Sequence, residues 1–254
     1  MSDIAEVNER AKRHRGPNSQ DERLFSEGML EKLRAAVEEM SWLMTRGYAV
    51  TSLIRLVGDR HLLHERQVLA VFRASCSDAS FAHRTRTSMP LDALRGRDIA
   101  VDGFNVLITI EAALSNGVLL KCRDGCIRDI ASVHGSYRSV EETDRALELL
   151  AATLADSGPR SVSWYLDSPI SNSGRLAARM RDFASARKLP WTVETVFSPD
   201  AVLKRCDKTV ATADGVILDA VPMWFDFARY VILSHIDDAR IVDLAPEVPL
   251  PRKC

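Results

Sequence analysis

IAVDGFNVLITIE, at residues 99–111, is the stretch of sequence that decides the predicted fold. Its first residues are apolar and predict a buried strand that ends at Asp102. Gly103 allows a sharp turn, and Asn105 can cap a helix over residues 106–114. Because ligands of open α/β sheets bind beyond the carboxyl ends of the strands, Asp102 is a candidate to bind a metal or a phosphate-bearing substrate. The alternative is that Asp102 only caps the helix and Asn105 closes a turn.

An aspartate follows each of four predicted strands in the chain after residue 98. These aspartates are Asp102, Asp167, Asp200 and Asp214. In a parallel sheet the four carboxylates converge on one edge, where they repel one another unless a cation lies among them. Mg²⁺ and Mn²⁺ prefer oxygen ligands and support phosphodiester hydrolysis. The pattern therefore predicts that these four residues are catalytic and bind Mg²⁺ or Mn²⁺, whereas the alternative is four ordinary helix caps.

The sequence lacks the motifs of competing catalytic classes. It contains no Gly-rich phosphate loop, no Gly-x-Gly-x-x-Gly and no Gly-x-Ser-x-Gly, so we expect neither a nucleotide cofactor nor an esterase-type nucleophile. The five cysteines are scattered and odd in number, which indicates a reducing compartment. Cys122 and Cys126 are close, but their spacing to His134 and Cys206 is not that of a usual zinc site, so we expect buried thiols and no zinc.

Composition and charge are those of an ordinary globular protein. Of the 254 residues, 46% are hydrophobic and 27% are charged, and the formal net charge is −1. No apolar run approaches the roughly 20 residues that span a bilayer, and the N-terminus lacks the apolar core of a signal peptide. We therefore expect a cytoplasmic protein without a membrane partner.

A contact with nucleic acid has to come from a local basic surface, because the whole chain is nearly neutral. Residues 46–97 are the candidate, since they hold nine arginines among few acidic residues. The planar fork of arginine matches phosphate oxygens, and Arg46 and Arg60 are predicted to contact phosphate. The alternative is a set of surface arginines that do not share a face and form ion pairs with their neighbours.

The hydrophobic pattern divides the chain into five segments. They are a polar tail (1–22), a basic helical module (23–77), a linker (78–97), an α/β domain (98–245) and a Pro-rich tail (246–254). The module is predicted to form three short helices, over residues 22–44, 51–57 and 64–76. Alternating strands and helices in the fourth segment predict a mainly parallel sheet covered by helices.

The end of the α/β domain has a less regular pattern. Residues 217–230 are predicted to be helical with an interruption at Pro222. Residues 231–234 and 239–244 are weaker strand candidates.

Residues 171–175, with the sequence SNSGR, open a predicted helix and form a candidate anion-binding loop. The backbone N–H groups there can hold a phosphate together with four side chains, those of Ser171, Asn172, Ser173 and Arg175. The alternative is an ordinary helix cap by Ser171 or Ser173.

The segment 123–138 is dense in polar residues and carries three further candidates. Asp124 and Asp129 can add metal ligands, or they can pair with Arg123 or Arg128. His134 is a candidate general base, although a histidine in a Gly/Ser loop is commonly a hydrogen-bonding residue only.

Several stretches resemble an uncharacterised prokaryotic family. They are residues 46–75 (RGYAVTSLIRLVGDRHLLHERQVLAVFRAS), 102–117 (DGFNVLITIEAALSNG), 122–138 (CRDGCIRDIASVHGSYR) and 166–177 (LDSPISNSGRLA). They resemble the family catalogued as domain of unknown function 434 with its associated C-terminal domain of unknown function, over most of residues 25–245. The resemblance implies a family and no activity.

The chain after residue 98 also resembles the PIN-like nuclease superfamily, especially its NYN branch. DGFN at 102–105 is similar to the Asp-x-x-Asn motif after the first strand, Asp200 to a later acid, and TAD at 212–214 to a Ser/Thr-x-Asp pattern. The resemblance implies a three-layer α/β/α fold whose acids bind Mg²⁺ or Mn²⁺ and cleave RNA. The chain departs where the family has a second acid, since that position is Val216 here and Asp219 is the nearest substitute.

These observations predict a two-part protein. The basic helical module contacts nucleic acid, with RNA expected rather than DNA, and the PIN-like domain cuts it with Mg²⁺ or Mn²⁺. Asn105 and the SNSGR loop orient phosphate or water. Two alternatives stay open: a non-catalytic RNA-binding or adaptor protein with a degenerate acid set, and a hydrolase of a small phosphorylated molecule. The predicted helix around residues 25–43 is a candidate homodimer contact.

Overall fold

The computed structural model describes residues 16–130, 137 and 140–246. Most of the predicted polar tail, the Pro-rich tail from residue 247 onward and the candidate His134 lie outside the described residues. The predicted fold class is confirmed, because N-terminal helices precede an α/β part with a mainly parallel sheet.

The described N-terminal part contains five helices. They are α1 (Asp21–Leu24), α2 (Glu27–Thr45), α3 (Val50–Arg60), α4 (Glu65–Ala74) and α5 (Asp78–Thr87). Helices α2, α3 and α4 were predicted from their apolar spacing, although α3 continues through the stop expected at Gly58. Helix α5 occupies the first half of residues 78–97, which were predicted to be a linker.

The second part alternates strands and helices after a 3₁₀ turn at Leu91–Leu94. Its strands are β1 (Asp98–Asp102), β2 (Leu119–Lys121), β3 (Ile127–Asp129), β4 (Ser161–Asp167), β5 (Trp191–Val196), β6 (Thr209–Ala211), β7 (Trp224–Phe225) and β8 (Ile241–Asp243). Its helices are α6 (Gly103–Leu114), α7 (Thr143–Ser157), α8 (Ser173–Ala186), α9 (Pro199–Leu203), α10 (Gly215–Leu218) and α11 (Phe227–His235).

Five strands form one parallel sheet in the order β5-β4-β1-β6-β7. The chain starts at the centre with β1, builds outward through β4 and β5, and then returns to the other side of β1 with β6 and β7. The direction of building therefore reverses between β1 and β6. In open α/β sheets such a reversal leaves a crevice outside the carboxyl ends of the two strands, where ligands bind.

Helices cover both faces of this sheet. Ile99 and Val101 of β1 are fully buried in a core shared with α6, α7, α8 and α11. Ala100, between them, points to the opposite face and lies in a core shared with α9 and α10. Alternate residues of a strand face opposite sides, so the pattern of β1 gives the three layers.

A second sheet, in the order β3-β2-β8, joins the two parts of the protein. Strand β2 pairs antiparallel with β3 and parallel with β8. Leu120 of β2 and Val242 of β8 share one hydrophobic core with Leu33 and Met40 of α2. The N-terminal helices are therefore packed directly on the second part of the chain.

Two predictions near the end of the α/β part are wrong. Residues 217–230 were predicted as one interrupted helix, but they contain parts of α10 and α11 with β7 between them. Residues 231–234 were predicted as a strand, but they lie in α11, where Val231 and Ile232 are fully buried. A short apolar run does not distinguish a strand from a buried turn of helix. The helices that the structure describes are all too short or too polar to cross a membrane.

Candidate functional site

Asp102 lies at the carboxyl end of β1, at the point where the strand order reverses. It is the last residue of β1 and the N-cap residue of α6, and only 8% of it is exposed. Its side chain makes no capping hydrogen bond to α6, so the reading of Asp102 as a helix cap alone is wrong. Its Oδ2 instead accepts a hydrogen bond at 2.9 Å from Oγ1 of Thr212, the residue that follows the neighbouring strand β6.

Asn105 joins the start of α6 to the segment after β6. It is the third residue of α6 rather than its predicted cap. Its Oδ1 accepts a hydrogen bond from the Ala213 N–H at 2.9 Å. Among the described residues its Nδ2 has no hydrogen-bond partner. The amide is therefore held by the protein through its oxygen, and its nitrogen can donate to a ligand.

Asp214 follows β6 on the other side of the switch point. Its Oδ1 accepts hydrogen bonds from the N–H groups of Val216 at 2.8 Å and Ile217 at 3.3 Å, so Asp214 does cap α10. Its own N–H donates to Thr212 Oγ1 at 3.0 Å. The Thr212 hydroxyl therefore connects the backbone of Asp214 to the carboxylate of Asp102.

Electrostatics link the four predicted acids. Burial raises the pKa of Asp102 to about 7, although the hydrogen bond from Thr212 opposes this shift. The negative charges of Asp214, Asp167 and Asp200 also raise it. Burial and Asp200 also raise the pKa of Asp167. Asp214, Asp167 and Asp200 are therefore close enough to Asp102 to raise its pKa.

The four acids differ in their immediate surroundings. Asp200 lies in the first turn of α9, and its Oδ2 is 3.6 Å from Lys204 Nζ. Asp167 ends β4 and is only partly buried. Within the ranges 16–130 and 140–246 and at residue 137, no group of three or more His, Cys, Asp or Glu side chains is arranged to hold a metal ion.

Asp124 forms buried ion pairs with two arginines. The pair with Arg128 is one of the two interpretations drawn from the sequence, whereas the pair with Arg84 was not expected. Asp124 Oδ2 accepts hydrogen bonds from Arg128 Nη2 and from Arg84 Nη1, both at 2.6 Å. The two guanidinium groups hold the pKa of Asp124 well below its usual range against the effect of burial. Arg84 Nε also donates to Asp219 Oδ1 at 2.8 Å. Asp219, the substitute for the missing family acid, is thus engaged by an arginine.

The same two arginines hold the backbone on both sides of Asp214. Arg128 Nε donates to the Ala213 carbonyl at 2.6 Å, and Arg84 Nη2 donates to the Gly215 carbonyl at 3.0 Å. A Cβ atom at Gly215 would lie 2.9 Å from Arg84 Nη2, so the close approach of the guanidinium needs glycine there. The position of Asp214 therefore depends on arginines from α5 and β3.

Asp129 lies apart from the acids at the strand ends. Its Oδ2 accepts a hydrogen bond from Thr109 Oγ1 at 3.0 Å, and its Oδ1 is 3.5 Å from Arg73 Nη1. Its ion-pair partner is therefore Arg73, rather than Arg123 or Arg128 as the sequence suggested.

The SNSGR loop is fixed by backbone contacts. Asn172 is the N-cap residue of α8, with φ of 69° and without a capping hydrogen bond from its side chain. Its Nδ2 donates to the Tyr137 carbonyl at 2.9 Å, and the Tyr137 N–H donates to the Ser171 carbonyl at 3.1 Å. Ser173 is buried and Arg175 is exposed. The predicted cap by Ser171 or Ser173 is wrong, and the phosphate role of this loop stays a prediction.

The arginines of residues 46–97 are mostly engaged within the protein. Arg60 Nη1 lies 2.8 Å from Glu39 Oε1, and the guanidinium of Arg46 lies 3.3 Å from the ring centre of Trp42. Arg66, Arg73 and Arg84 also pair with aspartates. Phosphate contacts by Arg46 and Arg60 stay a prediction.

Sequence reasoning missed a fifth aspartate at a strand end. Asp226 follows β7, where it accepts hydrogen bonds from the N–H groups of Arg229 at 2.9 Å and Ile127 at 2.7 Å. Burial raises the pKa of Asp226 to about 6. The apolar pair Trp224–Phe225 could have indicated a strand before Asp226, but these residues lay inside the helix predicted over 217–230. Because both carboxylate oxygens are used, Asp226 joins β3 to α11.

Comparisons with known proteins identify relatives without a known activity. Residues 91–230 match the family model described as Domain of unknown function (DUF5616), and residues 32–86 match Protein of unknown function (DUF434). These matches confirm the first resemblance drawn from the sequence. An uncharacterized protein of Methanocaldococcus jannaschii is 32% identical over 186 residues, which cover 73% of this chain and 88% of the relative. No solved structure matches the chain.

Proposed function

The chain belongs to the family described as Domain of unknown function (DUF5616), and we propose that it is a divalent-cation-dependent hydrolase of phosphodiester bonds, with RNA as its substrate. Asp102 carries the proposal. It is a buried carboxylate at the switch point of a parallel sheet, and burial, together with three other carboxylates, raises its pKa. A buried carboxylate among like charges is costly to the fold, and a bound cation removes that cost.

The donor set fits Mg²⁺ or Mn²⁺. Both ions take oxygen ligands, and Mg²⁺ commonly uses one or two carboxylates, several waters and substrate phosphate oxygens. A preformed group of three acids is therefore not required. Asp102 and Asp214 are the proposed ligands, with Asp167 and Asp200 as further acids of the same edge. The bound ion would supply Lewis acidity toward a phosphate and lower the pKa of a bound water.

Two polar residues prepare the site for a phosphate. Asn105 presents Nδ2 as a fixed donor, because its Oδ1 is held by the Ala213 N–H. Thr212 orients the carboxylate of Asp102 through its hydroxyl. Neither role requires the family acid that Val216 replaces.

A hydrolase of a small phosphorylated molecule is the second candidate. The observation that favours it is the internal pairing of the arginines, among them Arg60 with Glu39 and Arg84 with Asp124. Paired arginines contribute little to holding a long polyanion, whose binding depends on many phosphate contacts.

Calorimetric titration with MnCl₂ tests the cation, and incubation with single-stranded RNA or a dinucleotide, in Mn²⁺ or in EDTA, tests cleavage. The wild-type protein should bind Mn²⁺ and cleave RNA only in its presence. A variant with Asp102→Asn and Asp214→Asn should keep its fold and lose both properties. Asp59→Asn is the matched control, because the side chain of Asp59 on α3 is exposed, and it should behave like the wild type.

The outcomes separate the alternatives. A wild-type protein that binds no Mn²⁺ would contradict the proposal. Cleavage of the dinucleotide but not of RNA would favour the small-molecule hydrolase. Saturable Mn²⁺ binding without cleavage of either substrate would favour the non-catalytic alternative.

A further inference from the structure

A cleft of about 580 Å³ runs from the candidate active site toward the N-terminal helices. Asn105 and Asp214 line it at the sheet, and Tyr48, Val50 and Phe72 line it on the helical part. Its volume is within the range of sites for small molecules and cofactors, roughly 300–1,000 Å³. Neither matched family region forms this cleft alone.

Several exposed apolar side chains line the cleft. Tyr48 is 56% exposed, Val50 is 42% exposed and Val216, beside Asp214, is 63% exposed. Single exposed apolar side chains are common and need no explanation, but a group of them around one concave site indicates a ligand. Tyr48 adds a flat aromatic surface on which a planar ring can stack.

The charged groups of the cleft are largely neutralised by one another. Arg84 and Arg128 pair with Asp124, which lies behind them, and Arg73 lies 3.5 Å from Asp129. The paired charges favour an uncharged group in the helical part of the cleft, and the ring of Tyr48 favours a planar one. At the other end, Asn105 offers a donor to a phosphate, and Asp214 lies in the same lining as a proposed cation ligand.

We propose that this cleft binds one nucleoside unit of the substrate, with the base stacked on Tyr48 and the phosphate next to Asn105 and Asp214. The assignment rests on the proposed function, which supplies the phosphate at the sheet edge. A nucleoside phosphate combines the planar, apolar ring and the single anionic group that the two ends of the cleft require. It can be the end of an RNA strand or a free nucleotide, since both present the same chemistry.

Adenosine is the probe for the base alone, and its binding is measured by calorimetry in EDTA, where no metal contributes. The wild type should bind adenosine, and Tyr48→Ala should weaken binding by about tenfold or more, because it removes the aromatic surface on which the base stacks. Tyr48→Phe keeps the aromatic ring and should bind adenosine about as tightly as the wild type. Val216→Arg should block the cleft without truncating a side chain. Leu233→Ala, at an exposed leucine of α11 that does not line the cleft, should bind as the wild type does.

Adenosine 5′-monophosphate and a short oligoadenylate, measured with Mn²⁺, identify the source of the nucleoside unit. Similar, Tyr48-dependent affinities for both would indicate the end of a strand, and a preference for the monophosphate would indicate a free nucleotide. Adenosine binding that is absent in the wild type, or unchanged in Tyr48→Ala, would overturn the proposal.

The test distinguishes this assignment from the proposed function. The double variant Asp102→Asn/Asp214→Asn should lose the gain in affinity that Mn²⁺ gives to the monophosphate, whereas Leu233→Ala, which lies outside the cleft, should keep that gain. If RNA cleavage fails while Tyr48-dependent adenosine binding persists, the hydrolase proposal fails and the base site stands. If Tyr48→Ala cleaves RNA with unchanged KM, the base site fails and the hydrolase proposal stands.

Discussion

Arg84 and Asp124 form a buried ion pair that joins the two matched regions of the chain. Arg84 Nη1 lies 2.6 Å from Asp124 Oδ2, and the two side chains are 6% and 1% exposed. Arg84 belongs to the region 32–86, and Asp124 to the region 91–230. Because Arg84 also holds the Gly215 carbonyl next to Asp214, the N-terminal helices help to shape the candidate active site.

Arg84→Met should destabilise the protein strongly. It removes one of the two cations that neutralise Asp124, and it takes the side-chain donor from the Gly215 carbonyl, which keeps only the Asp219 N–H. Breaking a buried pair costs about 3–5 kcal/mol, so the free energy of unfolding in urea should fall by about that amount. Arg55→Met is the control, since Arg55 and Asp59 form an exposed pair whose loss should cost less than about 1 kcal/mol. Equal effects of the two substitutions would contradict the assigned role of Arg84.

Asp102→Asn should make the protein more stable at pH 8. Burial, together with the neighbouring carboxylates, raises the pKa of Asp102 from 3.8 to about 7. The folded protein then binds this proton more tightly than the unfolded chain, so ionisation of Asp102 lowers the stability of the wild type as pH rises from about 4 to 7. Asparagine removes that penalty, and the gain should be on the order of 4 kcal/mol at pH 8 and near zero at pH 4.

Urea unfolding of the wild type and Asp102→Asn at both pH values measures this difference. Asp59→Asn, at an exposed position on α3, should show no comparable gain at pH 8. A difference between Asp102→Asn and the wild type that does not change with pH would show that the ionisation of Asp102 is not penalised by the fold.

The sequence was sufficient for the features that depend on short apolar runs. The strands that end near Asp102, Asp167, Asp200 and Asp214 were predicted from such runs followed by an acid, and β1, β4, β5 and β6 confirm these strands. A strand buried on both faces is visible in the sequence because consecutive residues are apolar. The switch point follows from the strand order, which no local pattern determines.

The features that depend on distant partners could not be predicted. Helix α5 is poor in apolar residues, and its most buried residue is Arg84, which local patterning identifies as a surface residue. Its burial depends on Asp124, 40 positions away in the sequence. The pairing of β2 with β8 likewise brings together distant segments and creates the surface on which α2 packs.

Gly103→Ala should destabilise the protein through a steric conflict at the start of α6. A Cβ atom there would lie 2.9 Å from the carbonyl oxygen of Tyr165 and 2.6 Å from Leu166 Cδ2. The carbonyl belongs to β4 and cannot move without disturbing its pairing with β1, so we expect a loss of about 1–3 kcal/mol in urea unfolding. Gly28→Ala is the matched control, because nothing lies within 4 Å of its added Cβ on α2, and it should be neutral or slightly stabilising. Equal losses in the two variants would contradict the conflict.

Leu33→Ala and Leu150→Ala should shift the same single unfolding transition. Leu33 of α2 is fully buried in the core that the N-terminal helices share with the second sheet, and Leu150 of α7 is fully buried under the large sheet. The helices share this core with β2 and β8, so they cannot unfold without exposing apolar strand residues. Each substitution should cost about 2–5 kcal/mol, measured by urea unfolding followed by both fluorescence and circular dichroism. A separate helical module would instead give two transitions, of which Leu33→Ala would shift only one. Coincident shifts in both variants therefore distinguish one cooperative unit from the two-part organisation that the sequence predicted.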